Sequence, residues 1–406
     1  MDARPRGLLL LFEGLPPTVI ESQVGRLVAW LAASEIAEID VLSFACSATE
    51  HAAATARLDA FRAALPGLGV SLVRGIRPAL PWSLAWHRAR LARYLDDRRG
   101  RYRFIHARTN YAAAVAAPPR ARRGLGLLWD CRGDAAAEFE MRAASGRLSA
   151  VVYRAYAAHL RGQAALAARA CDHALFVTEE LAEPWRTVLG ERPCDVVPCL
   201  ADGDLFRPDA VKRSATRRRF GFSDTDTVYV YSGSMRVYQG FGLALDYFER
   251  VSRRDSSARL LVITPDRSDA NRTMEAMGSA NYTLTAAELP AMPELLNAAD
   301  IALMLRPPSA VNRAAFPTKF AEFALLGLPV VMNDHVPACA RQARALGLYV
   351  APDAPAVPRP WAEREQSGAA ARRRLTREAY AEVYRAVYGA LGGTHPAPQN
   401  PMTGDR

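Results

Sequence analysis

The sequence is poor in several features whose absence excludes whole classes of protein. Its 406 residues include only six cysteines, which form neither a Cys-x-x-Cys pair nor a spacing typical of zinc ligands. This usage predicts reduced thiols in a cytoplasmic protein rather than a disulfide framework. No apolar stretch approaches the roughly 20 residues that a membrane-spanning helix needs. The short apolar run at residues 7–12 ends at Glu13 with no cleavage site after it, and predicts a first strand rather than a signal peptide.

Lysine is almost absent as well. The net charge of +10 comes from arginine, because Lys212 and Lys319 are the only lysines. The arginines are dispersed and are not interleaved with aromatic residues on a recognisable module, so nucleic-acid binding is not indicated. In such a chain a lysine indicates a site that requires a compact point charge, and this favours Lys319 as a ligand contact.

Strands alternate with helices along the chain, a pattern that predicts parallel, doubly wound sheets. The length exceeds that of a usual single core and indicates about two domains. We expect an N-terminal Rossmann-like domain over residues 1–207 and a second one over 227–375. Residues 208–226, polar and apolar-poor, are predicted to be the linker. A final helix is expected over 376–392, and the tail 393–406 should be disordered.

The most informative stretch is residues 299–333, which predicts a strand, a polar loop, a helix and a second strand. Pro317 suits the first turn of the helix and Gly327 its end. The loop ends at the helix N-terminus, where free backbone N–H groups and the helix dipole attract phosphate. Glu322 lies one turn inside this helix. A phosphate site with a carboxylate beside it is what a nucleoside diphosphate with its ribose requires.

This stretch resembles the donor-binding motif of the retaining group 1 (family 4) glycosyltransferases of GT-B fold. In that family a Glu-x7-Glu pair brackets the loop: the first Glu contacts the transferred sugar and the second holds the ribose. Glu322 matches the second Glu, whereas the first falls on Ala314. The chain resembles a subset with a Ser/Asn-rich loop and a Pro-Thr-Lys start instead. The resemblance implies donor binding by Arg306, Ser309, Asn312, Arg313, Thr318, Lys319 and Glu322.

Other segments carry the same resemblance. Residues 197–208 are similar to the family's Pro-x3-Asp-x3-Phe-x-Pro link into the second domain, and residues 231–240 occupy the place of its Gly-Arg…Lys-Gly phosphate clamp. By that spacing Ser234 and Gln239 stand at the two basic positions. The charge could come from Arg236, Arg306, Arg313 or Lys319, and the sequence leaves these open. Further candidates for the site are Ser234, Arg236 and, in the loop after the first strand, Gly14.

Two polar elements follow apolar runs in the first domain: His106-Ala-Arg108 and Asp130-Cys-Arg132-Gly133. Open α/β sheets bind ligands at the C-terminal ends of their strands. Both elements resemble motifs of the same subset, which implies catalytic or acceptor-side roles for His106, Arg108, Asp130 and Arg132. The alternative is that His106 is a packed histidine and that Asp130 and Arg132 form a structural pair.

The resemblance implies two Rossmann-like domains facing a cleft, with the C-terminal helix crossing back to the first. The implied activity is metal-independent transfer of a hexose, with retention, from a UDP- or GDP-linked donor to a hydroxyl of a carbohydrate or lipid-linked acceptor. No separate cofactor is expected. Cell-surface polysaccharide or glycolipid assembly is the expected context. Two alternatives remain: a nucleotide-sugar epimerase of the same fold, and an inactive nucleotide-sugar-binding subunit.

A basic segment suggests one further partner. Residues 74–103 hold nine arginines against Asp96 and Asp97, and Trp82 and Trp86 lie one helical turn apart at its start. Basic and aromatic residues at helical spacing are typical of a helix that lies in the headgroup region of an anionic membrane. This pattern allows peripheral attachment to the inner face of the plasma membrane. The alternative is an ordinary surface helix whose tryptophans pack on the sheet.

Overall fold

The computed structural model describes residues 4–15, 20–144, 150–278 and 281–393. The chain forms two compact units, each with its own parallel sheet. The N-terminal unit comprises residues up to Val177, Leu181–Val197 and the chain from Tyr380 onward. The C-terminal unit comprises Thr178–Glu180 and Pro198–Ala379. The predicted fold class, two Rossmann-like α/β domains, is confirmed.

The N-terminal sheet has seven parallel strands in the order β3-β2-β1-β4-β5-β6-β7. Strand order reverses between β1 and β4, so the loops that follow these two strands diverge at the C-terminal edge of the sheet. Gly7 lies where a Cβ atom would meet the ring of Phe104, which makes glycine necessary for this close pairing. The strands are β1 (Arg6–Leu11), β2 (Glu38–Ala45), β3 (Val70–Arg74), β4 (Phe104–Arg108), β5 (Gly126–Cys131), β6 (His173–Phe176) and β7 (Cys194–Val196).

The helix that follows β2, α2 (Ala48–Ala63), begins at a side-chain cap. The Ser47 hydroxyl accepts a hydrogen bond from the Glu50 backbone N–H, and the Glu50 carboxylate accepts one from the Cys46 backbone N–H, an arrangement similar to a capping box. The helices in this part of the chain are α1 (Arg26–Ala33), α2 (Ala48–Ala63), α3 (Ser83–Asp96), α4 (Asn110–Ala116), α5 (Ala135–Ala144), α6 (Ala150–Ala170) and α7 (Glu179–Leu189).

The C-terminal sheet has six parallel strands in the order β10-β9-β8-β11-β12-β13, and its strand order reverses between β8 and β11. The loops 233–240 and 304–309 therefore start at neighbouring strand ends. Aromatic residues such as Tyr229, Tyr231 and Phe248 fill the core on one face of β8. The strands are β8 (Thr227–Ser232), β9 (Ala258–Ile263), β10 (Tyr282–Thr285), β11 (Ile301–Leu303), β12 (Val330–Val331) and β13 (Tyr349–Val350).

Helices complete both units. The last helix packs within the N-terminal unit, where its Tyr388 ring stacks on Phe104 at 5.2 Å between centroids. The helices of this part are α8 (Ala210–Phe220), α9 (Phe241–Ser252), α10 (Arg267–Ala276), α11 (Met292–Asn297), α12 (Ala310–Ala314), α13 (Thr318–Leu325), α14 (Pro337–Ala345), α15 (Trp361–Leu375) and α16 (Ala381–Gly393).

The segment predicted to be a linker, 208–226, instead contains α8, a helix of the C-terminal unit. Asp209 caps its N-terminus by accepting a hydrogen bond from the Lys212 N–H, and Gly221 ends it in the left-handed conformation, with φ of 72°. Its buried residues are polar: the Arg217 guanidinium donates to Asp300 at 3.1 Å. A helix that buries an ion pair has no apolar periodicity, and so the sequence pattern did not predict it.

Several other elements were not predicted. They are the short edge strand β13 and the helices α4, α5, α7, α10, α12, α14 and α15. Residues 16–19 and 145–149, and residues 394–406 of the tail that was predicted to be disordered, lie outside the described residues.

Candidate functional site

Lys319 comes from the start of α13 and reaches the end of β8. Its ammonium donates hydrogen bonds to the Ser232 carbonyl and, at 2.8 Å, to the side-chain oxygen of Gln239. It also lies 5.3 Å from the centroid of the Tyr231 ring. Gly233 makes room for it, since a Cβ there would run into the ammonium. The structure thus places the second of the chain's two lysines at the point where the strand order of this sheet reverses.

The charge of Lys319 has no carboxylate within ion-pair distance among the residues that the structure describes. Burial lowers the pKa of Lys319 well below its ordinary value, the neighbouring Arg306 charge lowers it further, and Glu322 acts in the opposite direction. A cation that is partly removed from water and has no paired anion is unfavourable in the free protein. An anionic ligand would relieve that cost.

Glu322 lies one turn further along α13 and is buried. Burial raises the pKa of its carboxyl to about 7, against the effect of the Lys319 charge. No described residue donates a hydrogen bond to this carboxylate. It is therefore available to accept hydrogen bonds from hydroxyl groups of a ligand.

Arg306 follows β11 and is almost fully buried, with 2% of its surface exposed. One terminal nitrogen donates to the Tyr238 carbonyl at 2.8 Å, whereas Nε and Nη2 have no partner within the described ranges. Burial lowers the pKa of this guanidinium. Leaving buried donors unpaired costs roughly 1–3 kcal/mol. Arg306 adds positive charge beside Lys319, although its own nitrogens are turned into the protein.

Two predicted donor ligands of the same loop are engaged within the protein. The Ser309 hydroxyl caps α12 by accepting a hydrogen bond from the Asn312 N–H at 3.1 Å. The Asn312 amide donates to the carbonyls of Tyr238 and Pro307. These bonds join the loop after β11 to the loop after β8. The predicted ligand role of both residues stays a prediction, and the structure gives each of them a positioning role.

The other predicted donor residues lie around the same strand ends. The Arg236 guanidinium donates to the Tyr238 hydroxyl at 3.0 Å, on the exposed side of the loop after β8. The carbonyl of Ser234 accepts from the Tyr231 hydroxyl at 2.9 Å, and Thr318 is the first residue of α13. The structure thus places the loop after β8 and the loop after β11 close to Lys319. The donor-binding roles predicted for the residues of these loops stay predictions.

A pocket of about 480 Å³ opens beside this loop within the C-terminal unit. It contains Arg313 and two residues that the sequence analysis missed, Asp334 and His335. Both follow β12, and a polar pair directly after an apolar strand is the signal that could have revealed them. The lining residues are Pro308, Ser309, Ala310, Arg313, Asp334, His335 and Pro337.

The four predicted catalytic residues of the N-terminal unit form one buried cluster around Asp130. The Asp130 carboxylate lies 3.3 Å from His106 Nε2, 3.4 Å from Arg132 and 3.7 Å from Arg108. His106 Nδ1 lies 3.0 Å from the hydroxyl of Tyr388 on α16. Sequence reasoning missed Tyr388, because no local pattern links residues so far apart in the chain.

The expectation that these residues follow their strands was wrong for three of them. His106 and Arg108 lie within β4, and Asp130 lies within β5, where parallel pairing sets Arg108 against Asp130. Burial alone would raise the pKa of Asp130, but the neighbouring charges, Arg132 first, lower it below its ordinary value. Asp130 is therefore an ionised carboxylate in a buried network whose most accessible member is Arg132, with 18% of its side chain exposed. The predicted catalytic roles of these four residues stay predictions.

Gly14 forms the turn after β1. Its φ of 61° is left-handed, which glycine adopts readily, and its N–H donates to the Phe44 carbonyl at 3.1 Å. This arrangement supports a turn at the C-terminal edge of the N-terminal sheet. Its predicted place in a binding site stays a prediction.

At least one carboxylate of each Asp-x-Asp sequence, a pattern that can bind a metal ion, forms an ion pair with an arginine. The chain contains two Asp-x-Asp sequences, 202–204 and 224–226. Asp202 pairs with Arg377 at 2.8 Å, and Asp226 pairs with Arg259 at 3.0 Å. Within the described parts of the chain, no group of three or more His, Cys, Asp or Glu side chains could hold a metal ion.

The basic segment 74–103 contains α3, whose buried residues Ser83, His87, Leu91 and Leu95 face the unit's interior. Leu91 is thus a core residue and not part of a membrane-facing surface. Arg88 donates to the Ala114 carbonyl at 3.0 Å. Trp82 is 60% exposed, and Arg90 stacks on the half-buried Trp86 ring at 4.9 Å. No described helix has the length and apolarity to cross a membrane.

The C-terminal unit is similar to proteins of known activity. Residues 226–358 match a family model for group 1 glycosyl transferases. That segment is therefore similar to a group 1 glycosyltransferase domain. It contains Lys319, Glu322, Arg306 and the pocket beside Arg313. No curated protein sequence matches the chain.

Solved structures extend the likeness of fold over the whole chain. HepE of Anabaena in complex with UDP-glucose is 14% identical, with a TM-score of 0.62 over 95% of this chain and 99% of that one. Sucrose-phosphate synthase from Thermosynechococcus elongatus is 15% identical, with a TM-score of 0.61 over 95% and 100%. A glycosyltransferase from Rickettsia africae is 11% identical, with a TM-score of 0.58 over 96% and 100%. The chain therefore has the GT-B fold.

Proposed function

We propose that the protein is a glycosyltransferase that moves a hexose from a nucleoside-diphosphate sugar to a hydroxyl acceptor with retention of configuration. The observation that carries the proposal is the half-buried Lys319 ammonium, which donates to Gln239 at 2.8 Å, has no described carboxylate within ion-pair distance and lies one helical turn from the Glu322 carboxyl. This pair matches the two demands of the donor, a diphosphate and a ribose. The family match over residues 226–358 supports it.

In the proposed reaction the acceptor hydroxyl attacks the anomeric carbon on the face that the leaving group departs from. The bond between that carbon and the diphosphate oxygen breaks, and the diphosphate leaves with its electron pair. The acceptor proton passes to a phosphate oxygen of the donor. Lys319, with the nearby charges of Arg306 and Arg236, stabilises the leaving diphosphate, so that catalysis rests on positioning and electrostatics.

The donor is proposed to be a substrate, with no separate cofactor and no metal. A UDP-linked donor is supported by HepE, which was solved with UDP, with UDP-glucose, and with UDP and glucose. The N-terminal unit is proposed to hold the acceptor, a carbohydrate or lipid-linked molecule of cell-surface polysaccharide or glycolipid assembly. The exposed Trp82 and arginines of residues 74–103 are proposed to attach the protein to the cytoplasmic face of an anionic membrane.

A second candidate is a nucleotide-sugar-binding subunit without activity. The observation that favours it is Ala314, which stands where the resemblance places the sugar-contacting Glu. An epimerase of the same fold would need carboxylates near the sugar for proton transfer. In the pocket beside Arg313 the one carboxylate is Asp334, and it pairs with Arg344 at 2.7 Å.

One experiment separates these functions. Saturation-transfer NMR against UDP, GDP, ADP and their hexose conjugates first identifies the donor, and turnover is then followed by mass spectrometry with a panel of sugar and lipid-linked acceptors. Transfer to an acceptor supports the proposal. Binding without turnover supports the inactive subunit, a changed donor sugar supports the epimerase, and absence of any nucleotide binding overturns all three.

A further inference from the structure

The pocket beside α12 presents nitrogen groups with no protein partner. The guanidinium of Arg313 is exposed, and it forms no hydrogen bond or ion pair with any described residue. The same is true of the His335 imidazole, across the pocket on the segment that follows β12. Both residues line the same space of about 480 Å³. This volume is large enough for a monosaccharide unit and lies in the range of small-molecule sites.

The carboxylates near Arg313 are already neutralised. Asp334, the acid in the pocket lining, pairs with Arg344 at 2.7 Å. Glu180, the carboxyl whose pKa the Arg313 charge helps to lower, is held by Arg341 through two hydrogen bonds. Within the described residues, Arg313 is therefore the arginine of the pocket lining that has no ion-pair partner. The pocket's acceptor groups for the hydroxyls of a neutral sugar are few, whereas its donors match an oxyanion.

We propose that this pocket receives the sugar of the donor and that Arg313, assisted by His335, recognises a carboxylate on that sugar. The substrate is then a nucleoside-diphosphate uronic acid, an inference that rests on the proposed function. A guanidinium presents two parallel N–H groups in the geometry of a carboxylate, so it distinguishes a uronate from the corresponding neutral hexose.

The residue after Arg313 is consistent with this substrate class. Ala314 stands where the resembling glycosyltransferases carry a Glu that contacts the donor sugar. A carboxylate at that position would repel a uronate, whereas alanine carries no charge. A uronate substrate would therefore explain both features: the replacement of the first Glu of the pattern by Ala314, and the arginine without an ion-pair partner at position 313. Ser309, with its hydroxyl and its cap on α12, holds the loop that presents Arg313.

The test is a comparison of affinities by calorimetry for UDP, UDP-glucose and UDP-glucuronate. The wild-type protein should bind UDP-glucuronate about tenfold or more tightly than UDP-glucose, the discrimination typical of one charged hydrogen-bonded pair. Arg313→Gln should reduce that ratio to near one and leave the affinity for UDP unchanged. Arg272→Gln, at an exposed arginine of α10 that pairs with Asp269, is the matched control and should keep the ratio.

A second measurement is independent of the nucleotide base. Free glucuronate, glucose and glucose 6-phosphate are titrated while the imidazole resonances are followed by NMR, with His335→Gln to assign the His335 signal. Glucuronate should shift that signal, glucose should not, and Arg313→Gln should remove the shift. A response to glucose 6-phosphate alone would mean that the anion is a phosphate, which overturns the uronate.

The possible failures are distinguishable. If UDP-glucuronate and UDP-glucose bind equally well, or if Arg313→Gln weakens UDP as much as UDP-glucuronate, the uronate inference is wrong while the proposed function stands. If another nucleoside diphosphate binds but UDP does not, the titration with free glucuronate tests the inference: a shift of the His335 signal supports a uronate, and no shift overturns it. If no nucleoside diphosphate or nucleotide sugar binds, the proposed function itself fails and the inference falls with it.

Discussion

The Lys319 ammonium donates a hydrogen bond of 2.8 Å to the side-chain oxygen of Gln239. By resemblance, Gln239 occupies the second basic position of a phosphate clamp, where this chain has an uncharged residue. The structure brings a charge to that position from another element, because Lys319 lies at the start of α13 and crosses to the loop after β8. The sequence left four residues open as the source of this charge. Of these, the structure places the half-buried Lys319 and the buried Arg306 at this turn.

Lys319→Ala should weaken the binding of a nucleoside diphosphate more than that of the nucleoside, because only the diphosphate carries the charge that the ammonium meets. The expected loss for the diphosphate is about ten- to hundredfold, as for a hydrogen bond between charged groups. Calorimetry with both ligands measures it. Lys212→Ala is the natural control, since Lys212 is the only other lysine and lies on α8, 3.7 Å from Asp209. Equal weakening of both ligands would assign Lys319 a structural role.

Glu322→Ala should weaken nucleotide binding by a comparable factor, about ten- to hundredfold, because its carboxylate is expected to accept hydrogen bonds from the ribose. The 2′,3′-dideoxy form of the same nucleotide lacks those hydroxyls and should bind wild type and variant alike. The measurement is therefore the affinity of each protein, wild type and Glu322→Ala, for each of the two nucleotides. An equal loss for both ligands would contradict the ribose contact.

The buried Glu322 carboxyl should also make the free energy of unfolding depend on pH. Its folded pKa of about 7 is above the ordinary value of 4.5, so the neutral form is the one that the fold favours. Its contribution is fully present below pH 4.5 and is lost as the pH rises through about 7. Relative to Glu322→Gln, wild type should lose on the order of 1–3 kcal/mol between these limits.

Urea unfolding of both proteins at pH 5 and pH 8 measures this difference. Glu363→Gln, at an exposed position in the first turn of α15, should change with pH as wild type does. A pH-independent difference between wild type and Glu322→Gln would mean that folding does not raise the pKa of this carboxyl.

The alternation of apolar runs with helix signals was enough to predict both sheets, since the central strands of each sheet, such as β1, β4 and β5 in one and β8 and β11 in the other, are buried on both faces. Predicting the site was harder where the signal was not local. Pro317 and Gly327 mark the ends of α13 in the sequence, and Glu322 could be placed from them. By contrast, the contact of Tyr388 with His106 joins the last helix to β4, far away in the sequence. The polar helix α8 packs on its unit through the buried ion pair of Arg217 with Asp300. Long-range pairing and buried charge leave no periodicity to recognise.

The Asp130 cluster predicts different outcomes for two substitutions. Asp130→Asn removes the anion that His106, Arg108 and Arg132 surround, and loss of one member of a buried charged pair costs about 3–5 kcal/mol. Urea unfolding should show that loss. Arg132→Gln, at the partly exposed edge, should instead lower turnover with the acceptor while leaving nucleotide affinity close to wild type. Collapse of nucleotide affinity in Arg132→Gln would show that the N-terminal unit contributes to donor binding.

The basic segment 74–103 should bind anionic membranes through its exposed residues only. Arg88 and Leu91 are committed to the interior, so the variant to test combines Arg77, Arg90 and Arg93, each changed to Gln. Each basic side chain near an anionic surface contributes about 1 kcal/mol, so liposome binding should fall by about two orders of magnitude.

Co-sedimentation with phosphatidylserine vesicles measures this binding, which should need the anionic lipid and weaken with salt. Trp82→Ser should weaken binding further by removing the exposed ring, which is the apolar part of the surface. A triple variant of equal charge change in the C-terminal unit, Arg218, Arg219 and Arg254 to Gln, separates a local surface from net charge. If both triple variants lose binding equally, attraction follows overall charge and the segment is not a docking surface. Binding that ignores salt would contradict the electrostatic mechanism itself.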